Sequence, residues 1–514
     1  MPQRGQKRRE CILVFGGAVL YVFCLLWFTG ALTSGYHLAD DHEILLFHER
    51  FKEGIYSWET IFQKGLLSYF DGGLRFRPLY TTLRVLRTFL LGTNYMAWSV
   101  LIGMEIVFCI FFCYLVARNL GVGVIGSSLT AALVVTGEQG EIWWRLGPQE
   151  PTGLLLFLIS MWLIQRFEQK GGWINGILAI FSAFLSAATK ESFTLMLPIL
   201  ILFAIGYDFF VSGYSHFWKG IGHSLNKNKW IVGSFCLNFC VNLYVIIWKV
   251  GLLSIEYAGI DVNQGPTGYL RMLSRELVQD NMKIYALFIL LSVFLILLDR
   301  PWKRKVLLNG SLRRAGILLL AFFGIMAAEL VLYAKSGMYG RYLVPFTVGV
   351  CLMNAVLFSE GVKKMAYRCI WLCGTFLIVV SLYRNVWMGG IQFEQHGDKL
   401  NAGFQLIEEE FSADQRIVTC MDMGGEYDYS FSHYAKIQMG MKNVYTWNEE
   451  NGFSSLYLEN EKEIDSLTEA DCLILPENKG LSDFGLKEEA FLFLGNNGYG
   501  DIYKNTAGYQ QSRR

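Results

Sequence analysis

The chain has 514 residues, 53% of them hydrophobic and 15% aromatic, with a mean hydropathy of +0.33. A soluble domain has no use for so many long apolar runs, which leaves a polytopic membrane protein. The net charge of +1 hides a division: residues 385–514 hold 10 Lys and Arg against 22 Asp and Glu, a net of −12, so the first 384 carry +13. No basic stripe with interleaved aromatics is present, which excludes a nucleic-acid partner.

A membrane span needs about 20 apolar residues. Eleven runs meet or approach that length: 11–33, 95–117, 121–137, 150–167, 173–189, 192–212, 230–252, 282–298, 315–334, 342–360 and 367–384. The basic start "MPQRGQKRRE" and the lack of a small-residue cleavage site make the first run an uncleaved anchor with its N-terminus in the cytoplasm. Alternation then puts 19 Lys and Arg in the inside segments, among them "HFWKGIGHSLNKNK" and "KKMAYR". That agrees with the positive-inside rule, and an odd span count places the acidic tail outside.

The first outer loop is long, about 34–94, and opens with "YHLADDHEILLFHER". Within it Pro78 to Leu91 has apolar residues at helical spacing, with Arg84 and Arg87 on one side, which predicts an interfacial helix. Later outer loops carry "EQGEIWWRLGPQEP", "TKES", "DVNQGPTGYLRMLSRELVQ" and "AKSGMYGRYLVPF". The tail, 385–514, predicts a small α/β domain. "FEQHGDKLNAGFQLIEEEF" has helical periodicity, "RIVTC" and "DCLILP" suit short buried strands, and "GGEYDYS" and "GNNGYG" are turn-rich. Cysteine pairs such as Cys109 and Cys113 lie in apolar runs and suit helix-face filler rather than metal binding. Cys420 and Cys472 fall in the polar tail, where a disulfide between them is an open alternative.

The outer loops gather acids and bases at the ends of spans, where burial is costly without a partner. The bland account is a set of solvated loop charges. The chemical account starts from the adjacent carboxylates Asp40 and Asp41, with Glu43 one helical turn on. Such a pair suits deprotonation of a hydroxyl, or a hard divalent cation such as Mg or Mn held through oxygen. Arginines and lysines suit a departing phosphate, and the same outer loops carry Arg75, Arg77, Arg145, Lys190, Lys335 and Arg341. Glu150 and Glu191 sit beside them. Glu105 and Glu329 interrupt apolar runs; Glu105 suits a hydrogen-bond partner between helices, and Glu329 could line the cavity.

The order of "ADDHEI", "GLRFRPLYTTLRVLRTFLLG", "EIWWRLGPQEPTG", "LSAATKESFTL" and "GRYLVP" resembles the GT-C type of polytopic glycosyltransferases, the broad class of protein O-mannosyltransferases and lipid A aminoarabinose transferases. The resemblance covers 1–384 in layout and is most specific in the first 200 residues. It implies a GT-C-like helical membrane domain over 1–384, which moves a sugar, with inversion, from a polyprenyl-phosphate donor to an acceptor outside the cytoplasm. It implies that Asp40 or Asp41 is the general base and that Arg77, Lys190 and Arg341 bind the donor phosphate. Sugar or acceptor contacts fall to Glu150, Glu43, Arg145 and Glu191. The acceptor is a glycan, a glycolipid or a protein. The second acid is Asp where protein O-mannosyltransferases have Glu, which weakens the case for protein, and "TWNEENG" does not match the WWD motif of oligosaccharyltransferases. The resemblance leaves metal dependence open: members with and without a divalent cation exist, and the Asp40–Asp41 pair fits both. The rivals are a polysaccharide polymerase or ligase acting on lipid-linked glycans, and a multi-spanning transporter. The latter lacks support because no repeat of spans is visible. The tail is expected to help select the acceptor.

Overall fold

The computed structural model describes residues 4–57, 59, 76–214, 216–250, 265–276, 280–299, 311–330, 334, 340–362, 364–421, 426–450, 452–455 and 463–506. Arg75, Lys335 and residues 253–264 of the fourth outer loop lie outside the described residues. Helices dominate, and each of the eleven apolar runs contains one. In chain order they are α1 (Arg4–Phe28), α2 (His42–Lys52), α3 (Pro78–Leu91), α4 (Tyr95–Asn119), α5 (Val124–Leu133), α6 (Glu150–Lys170), α7 (Trp173–Ala187), α8 (Glu191–Leu195), α9 (Leu197–Ser212), α10 (Phe217–Lys227), α11 (Lys229–Tyr244), α12 (Pro266–Glu276), α13 (Asp280–Asp299), α14 (Ser311–Met326), α15 (Val344–Val356), α16 (Met365–Glu410) and α17 (Glu426–His433). Six stretches among the described residues are long and apolar enough to cross a membrane: Arg8–Phe28, Tyr95–Asn119, Glu191–Ser212, Lys229–Trp248, Gly340–Ser359 and Met365–Glu410. Four further apolar helices have 10–17 residues.

The chain divides into two compact units. The first holds Met1–Leu26, Phe62–Thr82 and Leu101–Gly389. Small residues let its helices approach closely, as lipid-embedded interfaces require. A Cβ on Gly206 of α9 would meet the Leu318 nitrogen of α14 at 3.0 Å, and one on Gly349 of α15 would meet the Phe322 carbonyl at 2.7 Å. Hydroxyls add polar links: Ser160 donates to the Ala179 carbonyl at 2.9 Å and Ser186 to that of Gly153 at 2.8 Å. Thr152 donates to both oxygens of Glu105, at 2.9 and 3.0 Å, which makes Glu105 the interhelical partner its place in an apolar run suggested.

The second unit holds Trp27–Ile61, Leu83–Val100 and Gly390–Arg514. Its sheet comprises β1 (Arg416–Thr419), β2 (Asn443–Asn448), β3 (Gly452–Ser454), β4 (Cys472–Pro476), β5 (Phe491–Asn496) and β6 (Gly500–Asn505), in the order β3-β2-β1-β4-β6-β5. β1 runs parallel to β2 and β4, and the remaining pairings are antiparallel. Parallel strands covered on both faces read as unbroken apolar runs, which is why "RIVT" and "CLILP" were legible as strands. Ile417, Cys472, Ile474 and Ile502 face one core with Leu400, Phe404 and Ile407 of α16. Leu38 and Leu45, from the segment after α1, belong to that same core. Val418, Leu473 and Leu475 face the other, as period-two alternation requires. Cys420 and Cys472 are both free, and register places Cys472 opposite Ile417 rather than Cys420. Of the stretch expected to turn at "GGEYDYS", Gly424 and Gly425 lie outside the described residues and Glu426 to Ser430 belong instead to α17, with Phe431 completely buried in the core. "GNNGYG" does form the β5–β6 turn.

Candidate active site

Two clusters contain the candidate residues, one in each unit. In the first unit α6 starts at Glu150 with Pro151 next, an acid and a proline where a helix N-terminus favours both. Lys190 follows α7 in extended conformation (φ −157°, ψ 148°) and immediately precedes α8. Its Nζ lies 2.8 Å from Glu150 Oε1 and 3.3 Å from Glu329 Oε1, and 4.6 Å from the centre of the Tyr342 ring. All three charged side chains are buried, at 4–7% exposure. Burial alone would lower the Lys190 ammonium; the charges of Glu150 and Glu329 outweigh it and hold its pKa raised.

Arg77 lies just before α3. Its Nε donates to Glu191 Oε2 at 2.9 Å and its Nη1 to Gln149 Oε1 at 3.1 Å. The start of α3 is tied down by Leu79 N donating to the Ala188 carbonyl at 2.9 Å, at the end of α7. Arg341, in the 3-10 turn Gly340–Leu343, donates from Nη2 to the Tyr342 hydroxyl at 3.2 Å, and its charge acts on Glu150. Arg77, Glu191, Lys190, Glu150, Glu329 and Arg341 thus form a linked set of three cations and three carboxylates. The residue just before α3, the loop before α6, the "TKES" loop, the stretch after α14 and the "GRYL" turn each contribute. Arg145 stands differently: it pairs with Glu141 at 2.8 Å, one turn away, and about a third of each side chain is exposed. A pair of that kind contributes little.

In the second unit the chain turns sharply to present the acidic pair. Ala39 and Asp40 have φ of 72° and 60°, the two non-glycine residues in the left-handed region among those described. Side chains avoid that region at a cost of roughly 1–2 kcal/mol each, so the turn must be over-determined by its surroundings. It is. Ala39 N donates to Ser430 Oγ at 3.1 Å, Asp41 N to the Ala39 carbonyl at 2.7 Å, and Arg84 Nη2 to the Asp40 carbonyl at 2.6 Å. His37 stacks on Phe393 with ring centres 3.6 Å apart, and the Tyr434 hydroxyl donates to the His37 carbonyl at 2.9 Å.

The two aspartates are not equivalent. Asp41 is buried, at 2% exposure, and its Oδ2 accepts from the His37 amide at 3.1 Å. Burial and then the Asp41 charge push the Tyr36 and Tyr434 hydroxyls up. Asp40 is only partly buried. Glu43 pairs with Arg84 at 3.3 Å. The α3 helix forms over the range its spacing predicted, but Arg84 is not on a surface: its side chain is 2% exposed, 5.3 Å from the Trp98 ring. Glu43 and the Asp40 carbonyl offset the cost of burying it. His42 opens α2. Its Nδ1 lies 3.1 Å from Ser430 Oγ, and its ring is parallel to that of His433 at 5.2 Å. Burial, then His433 and Arg84, lower His42 to about 3; burial and Arg50 lower His433 to about 4.

Sequence reasoning missed Gln149, Tyr342, Ser430 and His433, and did not rank Glu329 among the site residues. Glu329 carried a signal, since an acid within an apolar run demands a partner. The others carried none. Among the described residues no three or more His, Cys, Asp or Glu gather as a metal site.

No family model matches the chain, and no curated protein matches it by sequence. Its structure is similar to that of ArnT from Cupriavidus metallidurans. ArnT bound to undecaprenyl phosphate superposes with a TM-score of 0.51 at 11% identity, covering 96% of this chain and 98% of that one. ArnT in the apo state gives 0.52 at 10% identity, covering 97% and 98%. Likeness over nearly the whole of both chains shows the architecture, which is the GT-C-type fold that ArnT has.

Proposed function

We propose that the protein is an inverting glycosyltransferase that moves a sugar from a polyprenyl-phosphate carrier to a hydroxyl of a cell-envelope acceptor at the outer face of the membrane. The observation that carries this is the likeness, across 96% of the chain, to ArnT solved with undecaprenyl phosphate. The topology that goes with it has eleven crossings, a cytoplasmic N-terminus and an extracytoplasmic tail.

Asp40 is the general base. It takes the acceptor's hydroxyl proton as that oxygen attacks the anomeric carbon from the side opposite the phosphate. The bond from that carbon to the phosphate oxygen breaks, and polyprenyl phosphate leaves with the electron pair. Asp41, already used by the His37 amide, positions the turn. Arg77, Lys190 and Arg341 receive the donor phosphate. Two of them are held ready by carboxylates: Glu191 orients the Arg77 fork, and Glu150 and Glu329 keep Lys190 charged at a buried position. A phosphate would compensate cations that the carboxylates share at rest. Glu43 acts through Arg84 on the acidic turn. Arg145 is left for the acceptor side. No step is routed through a divalent cation.

Sugar transfer in purified membranes, from a panel of labelled polyprenyl-phosphate sugars, tests this with Asp40→Asn and Asp41→Asn variants matched for expression. Asp40→Asn is expected to bind donor as the parent does and to lose about a hundredfold to ten-thousandfold in turnover. Parental turnover in Asp40→Asn would overturn the assignment.

A further inference from the structure

Outside the candidate site, the first unit has a helix whose two faces differ in kind. α10 (Phe217–Lys227) is anchored along one face. A Cβ on Gly220 would meet the Phe209 ring at 2.7 Å, so the backbone seats directly on α9. Ser224, fully buried, donates to Asp208 Oδ2 at 2.5 Å. Lys227 bridges Asp208 at 2.7 Å and Glu168 at 2.5 Å. The spacing from 220 to 224 to 227 is one helical face, and its polar groups are satisfied within the protein.

Among the described residues the opposite face makes no ion pair, and its ring contacts are those of Trp218 with Phe217 and of His223 with Tyr214. Trp218 is 80% exposed, and Trp230, just past the turn at Asn228, is 78% exposed. Lys219, His223 and Lys229 are exposed beside them. From Phe209 to Ile255 the chain contains no Asp or Glu. Lys227 is neutralised by its two carboxylates, whereas among the described residues neither Lys219 nor Lys229 pairs with a carboxylate. Exposed tryptophans favour the level of lipid headgroups, and lysines without nearby acids favour anionic surfaces. An aqueous protein surface would leave both rings costly and the charge unbalanced.

We propose that α10 lies in the plane of the membrane and binds anionic phospholipid headgroups through Lys219 and Lys229, with Trp218 and Trp230 seated at headgroup depth. The buried Asp208 clamp fixes the helix flat so that both lysines and both tryptophans face the leaflet together. This goes beyond the transfer reaction and does not depend on it.

The test is hydrogen exchange over residues 216–230 of the full chain, in nanodiscs of phosphatidylcholine alone and of an equimolar mixture with phosphatidylglycerol. Two lysines at an anionic surface are expected to slow exchange by up to roughly thirtyfold in the mixture. In a Lys219→Glu/Lys229→Glu variant the two compositions are expected to give the same exchange. Trp218→Ser is expected to reduce protection in both. Equal exchange of the parent protein in both compositions, or a difference that survives the lysine substitutions, would overturn the proposal.

Discussion

Acidification offers a direct probe of how the first outer segment is held. His42 and His433 are buried as neutral rings, parallel at 5.2 Å, with Tyr429 edge-on to both. In the unfolded chain each takes up a proton near its ordinary value of 6.5; in the folded chain this waits until about 3 for His42 and about 4 for His433. Between those values the unfolded state binds more protons, so the stability these neutral rings allow is fully present above pH 6.5. It is lost as pH falls toward the folded values. At pH 5 the loss is about 2 kcal/mol per ring and about 4 kcal/mol for the pair. The assay is the unfolding midpoint of the purified full chain in detergent, followed from pH 8 to pH 5, beside a His42→Gln/His433→Gln variant. The variant starts less stable, because the His42 contact with Ser430 is altered, but its curve is expected to be flatter by most of that difference. If both proteins lose the same stability over the range, the acid sensitivity lies elsewhere and the burial of the two rings has been misjudged.

Three further outcomes are expected. Lys190→Met strands Glu150 and Glu329 without their cation and should cost about 3–5 kcal/mol in thermal unfolding, while adding Glu150→Gln should restore part of it; no loss in the single variant would show that the triad is not formed. Ala39→Gly relieves a left-handed residue but adds freedom to the unfolded chain, for a net gain of up to about 1 kcal/mol, with slower sugar transfer as the turn loosens; a lowered melting temperature would contradict the strain. Gly153→Ala drives a methyl into the Phe193 ring and the Thr189 hydroxyl. It should cost about 1–3 kcal/mol and weaken donor binding by displacing Lys190 next to Thr189. Donor binding at parental strength would detach that loop from the phosphate site.

Local patterns gave the architecture and individual charges gave the candidates, but pairing stayed hidden. Helix Pro78–Leu91 was legible because its apolar spacing covers the whole element. The strands at 416 and 472 were legible because both their faces are buried. "EYDYSFSH" was not legible as a helix, because Gly-Gly precedes it and its composition suits turns; burial of Phe431 overrides that preference. Asp40, Lys190 and Glu150 announced themselves as charges at the ends of apolar runs. That Lys190 meets Glu329, 139 residues later, or that Ser430 holds Ala39, 391 residues earlier, has no local signature. Arg84 was misread for the same reason: amphipathic spacing says which residues share a face, not what that face will meet.

The acidic turn shares its core with the far end of the chain, since Leu38 and Leu45 pack with Phe404, Ile474 and Ile502. A ribosome makes Ala39 391 residues before Ser430, with the apolar runs in between. During synthesis the turn therefore waits, without its Ser430 and Tyr434 partners, until α17 and the residue that follows it have been made. A message cut short between α16 and β1 yields a chain that holds all eleven apolar runs yet lacks the Ser430 and Tyr434 that hold the turn of its proposed base. Removing 390–514 to test acceptor choice would dismantle the acidic turn as well, so substitutions on the outer surface of the sheet are the cleaner way to separate the two roles.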